Sequence, residues 1–474
     1  MQKEEYDAVV VGSGPNGLAA AIFLQEKGLK VLVMEAKDTI GGGMRTKEVT
    51  LPGFHHDICS AIHPLAVAAP YFRSLPLEEF GLEYLHPRVL AAHPLEDGPA
   101  GVLYRSLDDT AAGLGQDADL YKQIMSPIVA HWEGLSRDFL GPLSFPQNPL
   151  KLAAFGLKAL QPASWFSKKF KEEKTKALWA GMVAHGIQPF SNLATSAIGL
   201  VLMAAGHYGG WPVAKGGSQS LATALAGYFK SLGGEIWTGT MVQSKTDIPD
   251  TKATLFNLGP KQLLGIMGED FSPLYRRQLS NYRYGMGVYK MDFALDGPIP
   301  WKSAEAREAG TVHLGGSMEE ISHAEAIIWK GKYTDNPYVL VAQQSLVDTS
   351  RAPEAKHTVW AYCHVPAGSL RDMSGIIENQ IEKSAPGFKD LILAKYTMNT
   401  KDVQDYNPNY IEGDINGGVQ DITQLFTRPA LRWSPYRTSA KGYYICSSST
   451  PPGGGVHGMC GYHAAQRVFK DLFS

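Results

Sequence analysis

Residues 6–36, YDAVVVGSGPNGLAAAIFLQEKGLKVLVMEA, read as strand, glycine turn, helix, second strand and terminal acid. Gly12, Gly14 and Gly17 fill a GxGxxG pattern: the first glycine allows a tight turn, the second lets the backbone approach a pyrophosphate, and the third lets the helix pack on the strand. Pro15 and Asn16 open the helix, so its unpaired N–H groups and dipole face the phosphates. Glu35 lies 23 positions after Gly12 and is followed by Ala36, where a carboxylate can accept hydrogen bonds from ribose hydroxyls. A glycine pattern alone is weak, but here both strands and the acid are in place. The segment therefore predicts a site for an adenine dinucleotide.

The residues just downstream separate nicotinamide from flavin. After Glu35 the chain runs AKDTIGGGMRT, and a turn through Gly41, Gly42 and Gly43, followed by Met44 and Arg45, supplies a second backbone approach to the pyrophosphate with a cation beside it. Flavin proteins need such a loop; nicotinamide enzymes rarely do. No second GxGxxG with a terminal acid occurs, so one dinucleotide, FAD, is the economical reading.

Composition narrows the rest. A length of 474 residues predicts two domains, and a net charge of −2 with 19% charged residues offers no polybasic field for nucleic acid. Cys59, Cys363, Cys446 and Cys460 form no CxxC pair and no metal-ligand spacing, which excludes a disulfide-reductase dithiol and predicts no metal site. The acidic start MQKEEYD leaves no room for a signal peptide, and a cytoplasmic protein is expected. Residues 177–214 contain no Asp, Glu, Lys or Arg, yet polar interruptions leave no apolar piece of the roughly 20 residues a membrane span needs. Buried helices are expected there, lining either a core or an apolar substrate cavity. Before them, WFSKKFKEEKTK mixes Trp165, Phe166 and Phe170 with lysines. Two readings stay open for it, a solvated helix face and a peripheral contact with an anionic membrane surface.

Further along, GWPVAKGGSQSLATALAGYFKSLGGEIWTGTMVQS reads as a glycine loop, a helix over 220–231 and a strand pair through Ile236 and Val242, with Val242 placed to meet the adenine. The apolar strand ATLFNL follows. Residues 285–366 are strand-rich and predict an antiparallel or mixed sheet with a solvent face; 373–383 reads as helix and 395–407 as strand and turn. The segment 443–470 returns to strand, glycine loop and helix.

Four blocks, SGPNGLAAAIFLQEKGLKVLVMEA, GGGMRTKEVTLPGFHHDICSAIHP, GWPVAKGGSQSLATAL and YYICSSSTPPGGGVHGMCGYHAA, resemble phytoene-desaturase-like flavoproteins of the amine-oxidase superfamily, over nearly the whole chain. The resemblance implies an α/β fold: a discontinuous Rossmann-like FAD-binding domain from residues 1–75, 206–265 and 435–474, and an α+β substrate domain from 76–205 and 266–434. By analogy Gly454, Gly455, Val456, His457 and Met459 stand beside the flavin ring, with a helix starting near Val456 pointing its positive end there. Ser447, Ser449 and Pro451 depart from the Gly, Gly and His usual in relatives, which predicts a more crowded backbone beside the phosphates. Candidate catalytic residues are His63, Arg351, Tyr362, His364 and His457. The implied chemistry is oxidation, desaturation or isomerisation of a hydrophobic or conjugated small molecule; lacking a second nucleotide fold and any CxxC pair, the chain is expected to pass electrons to oxygen or a quinone-like acceptor. Two alternatives stand beside it: an amine-oxidase-like C–N dehydrogenase, and a non-catalytic assembly protein that keeps FAD as a structural ligand. Neither substrate nor oligomeric state is legible in the residues.

Overall fold

The computed structural model describes residues 6–96 and 98–474; the acidic opening residues 1–5, on which the reading against a leader rests, lie outside them. Five short apolar strands form one parallel sheet in the order Tyr443–Ile445, Thr251–Phe256, Tyr6–Val11, Val31–Met34, Glu235–Trp237. Side chains alternate along a strand, so Ala8, Val10, Val33 and Leu255 pack with the helices Pro15–Glu26, Ser218–Ser231 and Met459–Leu472. Val9, Val11, Leu32 and Phe256 pack instead with Pro260–Met267 and Pro273–Ser280. Both faces of the central strands are covered, which is why residues 8–11, 31–34 and 253–256 read as nearly unbroken apolar runs.

The first helix begins where the sequence allows it to. Pro15 follows the Gly14 cap, where its missing N–H is one the helix would leave unpaired anyway. The helix stops at Lys27, and Gly28 takes a positive φ of 80°. It lies so close to the C-terminal helix that a Cβ on Gly461 would stand 1.7 Å from the Asn16 carbonyl oxygen.

A seven-stranded sheet forms the second layer, in the order Ile392–Met398, Gly287–Leu295, His357–Val365, Val339–Ala342, Ala309–Leu314, Val89–His93, Gly101–Leu103. Only the pair Ala309–Leu314 and Val89–His93 is parallel. Met291, Phe293, Val341 and Ala361 face the helix Ser374–Ser384, which contributes Ile377 and Ile381. Leu340, Trp360 and Tyr362 face the other way, toward Glu173–Ala184 and Thr195–Gly209.

Several local expectations need correction. The sheet has no broad solvent face, because helices cover both sides; only the edge strand Ile392–Met398 alternates with solvent. Val242 is not in a strand: the chain leaves the sheet after Trp237 and turns back so that the Thr240 N–H donates to the Glu35 carbonyl at 2.8 Å. Residues Thr400–Tyr406 are a helix, started by a capping box from Asn399 to Asp402 that a strand reading overlooks. The C-terminal helix begins at Met459, since Gly458 at φ 69° still belongs to the loop. In the lysine-rich stretch Phe166 and Phe170 are buried, Phe166 stacking on Trp179 at 4.7 Å, and Trp165 alone of the three aromatics is exposed. No helix among the described residues is long and apolar enough to cross a membrane.

Candidate functional site

The C-terminal ends of the central parallel strands open into one continuous cavity of about 860 Å³, the position where open α/β sheets bind ligands. Its floor at that end is main chain. Gly12 and Gly42 hold positive φ of 99° and 60°, and the loops touch: a Cβ on Gly42 would stand 2.9 Å from the Gly14 Cα. On Gly17 a Cβ would meet the Gly12 carbonyl oxygen at 1.9 Å, so that glycine serves helix packing and lies off the cavity. Asn257, at the end of the strand Thr251–Phe256, turns its amide oxygen to the N–H groups of Gly14 and Gly17 at 3.3 and 3.2 Å.

Glu35 borders the cavity with its carboxylate fixed. Ser13 donates its N–H and Oγ–H to Oε2 at 3.0 and 2.5 Å, while the Lys37 N–H and Arg45 reach Oε1 at 3.0 and 3.1 Å. Arg45 is spent locally: it also donates to the carbonyls of Thr39 and Gly42 and lies under the Tyr406 ring. Its charge clamps the glycine loop to Glu35.

Of the other sequence-derived contacts, Pro15, Asn16, Ala36, Gly43, Val242, Gly454, Gly455 and Val456 line the cavity; Met44 and Met459 are buried behind it. His457 lines it too, but both ring nitrogens are engaged. Its Nδ1 accepts the Met459 N–H at 3.0 Å and its Nε2–H donates to the Gly453 carbonyl at 3.2 Å, so the ring pins the loop onto the helix. Burial pushes its pKa down to about 4, keeping it neutral. Ser447 and Ser449 hydrogen-bond each other at 2.6 Å in the wall.

His63 borders the cavity near the same loop. Ser218 Oγ gives its proton to the Ser60 carbonyl at 2.5 Å, so His63 must donate from Nε2 to Ser218 at 2.9 Å. Two other candidates lie off the cavity. Arg351 is wholly buried and pairs with Asp57 at 2.7 Å, fastening the short turn Thr349–Arg351 to the strand pair Thr46–Lys47 and His56–Asp57 and to the helix start at Ser218, whose N–H also reaches Asp57 at 2.8 Å. His364 pairs with Glu325 at 2.7 Å, both fully buried behind the wall.

Beyond His63 and Gly455 the cavity enters a chamber between the second sheet, through Thr311, Leu340, Trp360 and Tyr362, and the uncharged helical segment, through His185, Ile187, Val201 and Trp211. Val201 lines it, whereas Met203, two residues on, is core. The chamber reaches the surface beside Leu143, Leu160, Phe426 and Trp433, all lining and all exposed.

With this geometry in view, likeness to known proteins can be read. Residues 10–75 match the model of a NAD(P)-binding Rossmann-like domain. Pyridine nucleotide-disulfide oxidoreductase domain-containing protein 2 of Mus musculus is 26% identical, with 99% of this chain and 94% of that protein covered. The phytoene desaturase (neurosporene-forming) of Rhodobacter capsulatus is 24% identical, with 96% and 92% covered. A solved putrescine oxidase variant superposes with a TM-score of 0.63 at 16% identity, covering 98% of this chain and 99% of that one. Over nearly its whole length the chain is thus similar to an oxidoreductase-domain protein and a phytoene desaturase, and it shares its fold with a solved putrescine oxidase.

Within that fold, several site residues escaped sequence reasoning. Asn257 had one available signal, its place at the end of an apolar strand; Tyr406 and Tyr410 had none. Tyr410 packs its hydroxyl where a Cβ on Gly43 would lie only 2.5 Å away. Cys59 lines the cavity as a thiol, since burial pushes its pKa up to about 11. Behind the wall, Lys290 pairs with Asp292, whose other oxygen lies 3.6 Å from His56. Burial and the Lys290 charge drive His56 down to about 3, so that ring stays neutral.

Proposed function

We propose that the chain is a FAD-dependent oxidoreductase acting on an apolar small molecule. The observation that carries this reading is continuity: one cavity joins a main-chain nucleotide cradle to a chamber whose inner lining, from His185 and Trp211 to Leu340 and Trp360, carries no charged side chain. The residues fit the dinucleotide. Glu35 would hold a ribose, the touching loops at Gly14 and Gly42 would flank the pyrophosphate, and Gly454 to His457 would border the ring system. When bound, the flavin supplies a two-electron acceptor. The chain's part is to position the substrate and exclude water, because for an apolar C–H donor placement near the acceptor outweighs acid–base help.

Supply of an apolar substrate fits the surface around the mouth. Leu150 and Leu157, two helical turns apart, stand exposed on Pro149–Ala159 with Phe145 and Trp165 nearby in sequence, and Lys151, Lys168 and Lys169 of the same stretch are exposed too. Such a face suits a peripheral contact with an anionic bilayer. Reoxidation by oxygen or a quinone-like acceptor completes the reading, since no second nucleotide cradle is found among the described residues.

A specific feature favours the amine alternative: Trp360 and Tyr362 form a T-shaped pair on the chamber wall with centroids 5.1 Å apart. Anaerobic titration separates the readings. The purified protein should carry FAD, bleach with apolar alkene, alcohol or carbonyl donors, and remain oxidised with NADPH. Bleaching by amines alone would transfer the proposal to C–N dehydrogenation, and rapid reduction by NADPH would overturn the acceptor assignment. Glu35→Ala should lower FAD affinity about ten- to a hundredfold through lost charged hydrogen bonds; wild-type affinity would remove the ribose assignment.

A further inference from the structure

The innermost wall of the chamber carries hydrogen-bond donors with nothing in the protein to receive them. His185 and His313 face each other, Nε2 to Nε2, at 3.1 Å. Burial holds both rings neutral, His185 down at about 3 and His313 well below its ordinary value, so each has one N–H to place. His313 settles where. Its Nδ1 is buried without a partner and abuts Gly181, where a Cβ would stand 2.4 Å away. The glycine's own C–H therefore points at that nitrogen, leaving room for a lone pair and none for an N–H. The proton sits on His313 Nε2 and is donated to His185 Nε2. His185 must then carry its proton on Nδ1, for which no acceptor exists among the described residues, and its ring borders the chamber.

Two independent features point the same way. Trp360, 7% exposed on the chamber wall, has a buried Nε1–H without a partner, whereas its neighbour Trp211 donates to Thr311 Oγ1 at 2.9 Å. The turn that carries His185 is also strained: Ile187, two residues on and lining the chamber, holds φ of +50°. A β-branched residue rarely adopts that conformation without a reason in the surrounding site. The charges that adjoin this end are paired with each other: Lys290, 5.9 Å over the Trp360 ring, is held by Asp292, and neither lines the cavity. The charged side chains that line the cavity, Glu35, Lys37, Arg45, Asp138 and Arg432, lie outside this inner wall.

We propose that His185 Nδ1–H and Trp360 Nε1–H form a subsite for an uncharged oxygen acceptor, so that the substrate is an amphiphile with an apolar body and a carbonyl or hydroxyl oxygen at its buried end. This deepens the oxidoreductase reading and rests on it for the word substrate. Two neutral N–H donors stabilise a carbonyl or hydroxyl oxygen and offer nothing to a pure hydrocarbon. An ammonium group brings only donors of its own, and Asp292, opposite Trp360 in the sheet, is already paired with Lys290 and does not line the cavity. The arrangement accordingly selects against the amine that the Trp360–Tyr362 pair would otherwise admit.

The test uses flavin-replete protein, with flavin occupancy measured by absorbance in the same sample. Carbonyl-13C-labelled 2-nonanone, nonane and nonylamine are titrated calorimetrically, and the ketone's C=O stretch is followed by infrared difference spectroscopy. In the wild type the band should shift to lower wavenumber relative to the ketone in hexane. His185→Phe and Trp360→Phe should each weaken ketone binding about tenfold, the effect of one lost hydrogen bond, leave nonane unchanged, and return the band toward its hexane position. His185→Gln, which keeps an N–H donor, should retain much of the shift and covers the case in which the Phe variant does not fold. An unshifted carbonyl in flavin-replete wild type, or equal losses for ketone and nonane, would overturn the subsite alone. Absence of flavin would overturn the broader reading whatever the band does.

Discussion

The two ends of the cavity are built from different materials. At the nucleotide end the surface is main chain, two glycine loops in contact at Gly14 and Gly42, with Glu35 clamped by Ser13 and Arg45 from the same short stretch. At the substrate end the surface is side chains, His185, Trp211, Leu340 and Trp360, delivered by four elements far apart in sequence. A main-chain surface has no side chain to trim and no slack for one to be added. A side-chain surface can be reshaped one residue at a time while the fold stands. The first end therefore fixes what cofactor is held, and the second is where specificity can drift.

The largest expected effect tests the rigidity of the first end. Alanine normally stabilises a helix relative to glycine by about 1 kcal/mol, yet Gly461→Ala should be strongly destabilising, because its Cβ would fall 1.7 Å from the Asn16 carbonyl oxygen. A loss of about 3 kcal/mol or more, with flavin release, is expected in thermal melts. A Tm at or above wild type would show that the contact between the two helices can open.

Acid should act next most strongly, and on both ends. Burial depresses His63, His93 and His457 to about 4 and His56 and His185 to about 3. The folded rings stay neutral while the unfolded ones take protons, so stability is complete above about pH 6.5 and is lost as pH falls from there toward about 3. Melting curves between pH 8 and 4.5 should show this slope, and His185→Gln should make it shallower. A Tm independent of pH over that range would mean these rings are reached by water.

The smallest effect separates chamber from core within one helix. Met203→Ala should cost about 2–5 kcal/mol and leave donor preference alone. Val201→Ala removes atoms that border the chamber, so it should shift relative kcat/KM among donors of different bulk at a cost nearer 1 kcal/mol. If both variants lose stability alike and neither changes preference, the helix contributes only packing.

The same contrast explains what could be read in advance. The glycine pattern, Glu35 and the loop at Gly41 to Arg45 are local, and local main-chain geometry is written in local residues. The chamber depends on register between distant strands: Tyr362 meets Leu340, and Leu340 meets His313, only after three strands have paired. No spacing in the chain announces that His185 will face His313. Arg351 and His364 looked like site residues because charged and imidazole groups are chemically capable. Tertiary packing spends them on Asp57 and Glu325 instead. Thr400–Tyr406 was missed as a helix because its capping box is brief and its neighbours are strand-like.

The edge strand Tyr443–Ile445 has a consequence for biosynthesis. It pairs with Thr251–Phe256 and delivers the loop through His457 that closes the cavity wall, while the helix after it seals Asn16 from behind. A ribosome that has made the cradle at Gly12 has made a socket whose wall stays open until residues 443–461 emerge and dock. On the flavin reading proposed above, a chain cut short before Tyr443 would remain colourless and exposed to proteolysis.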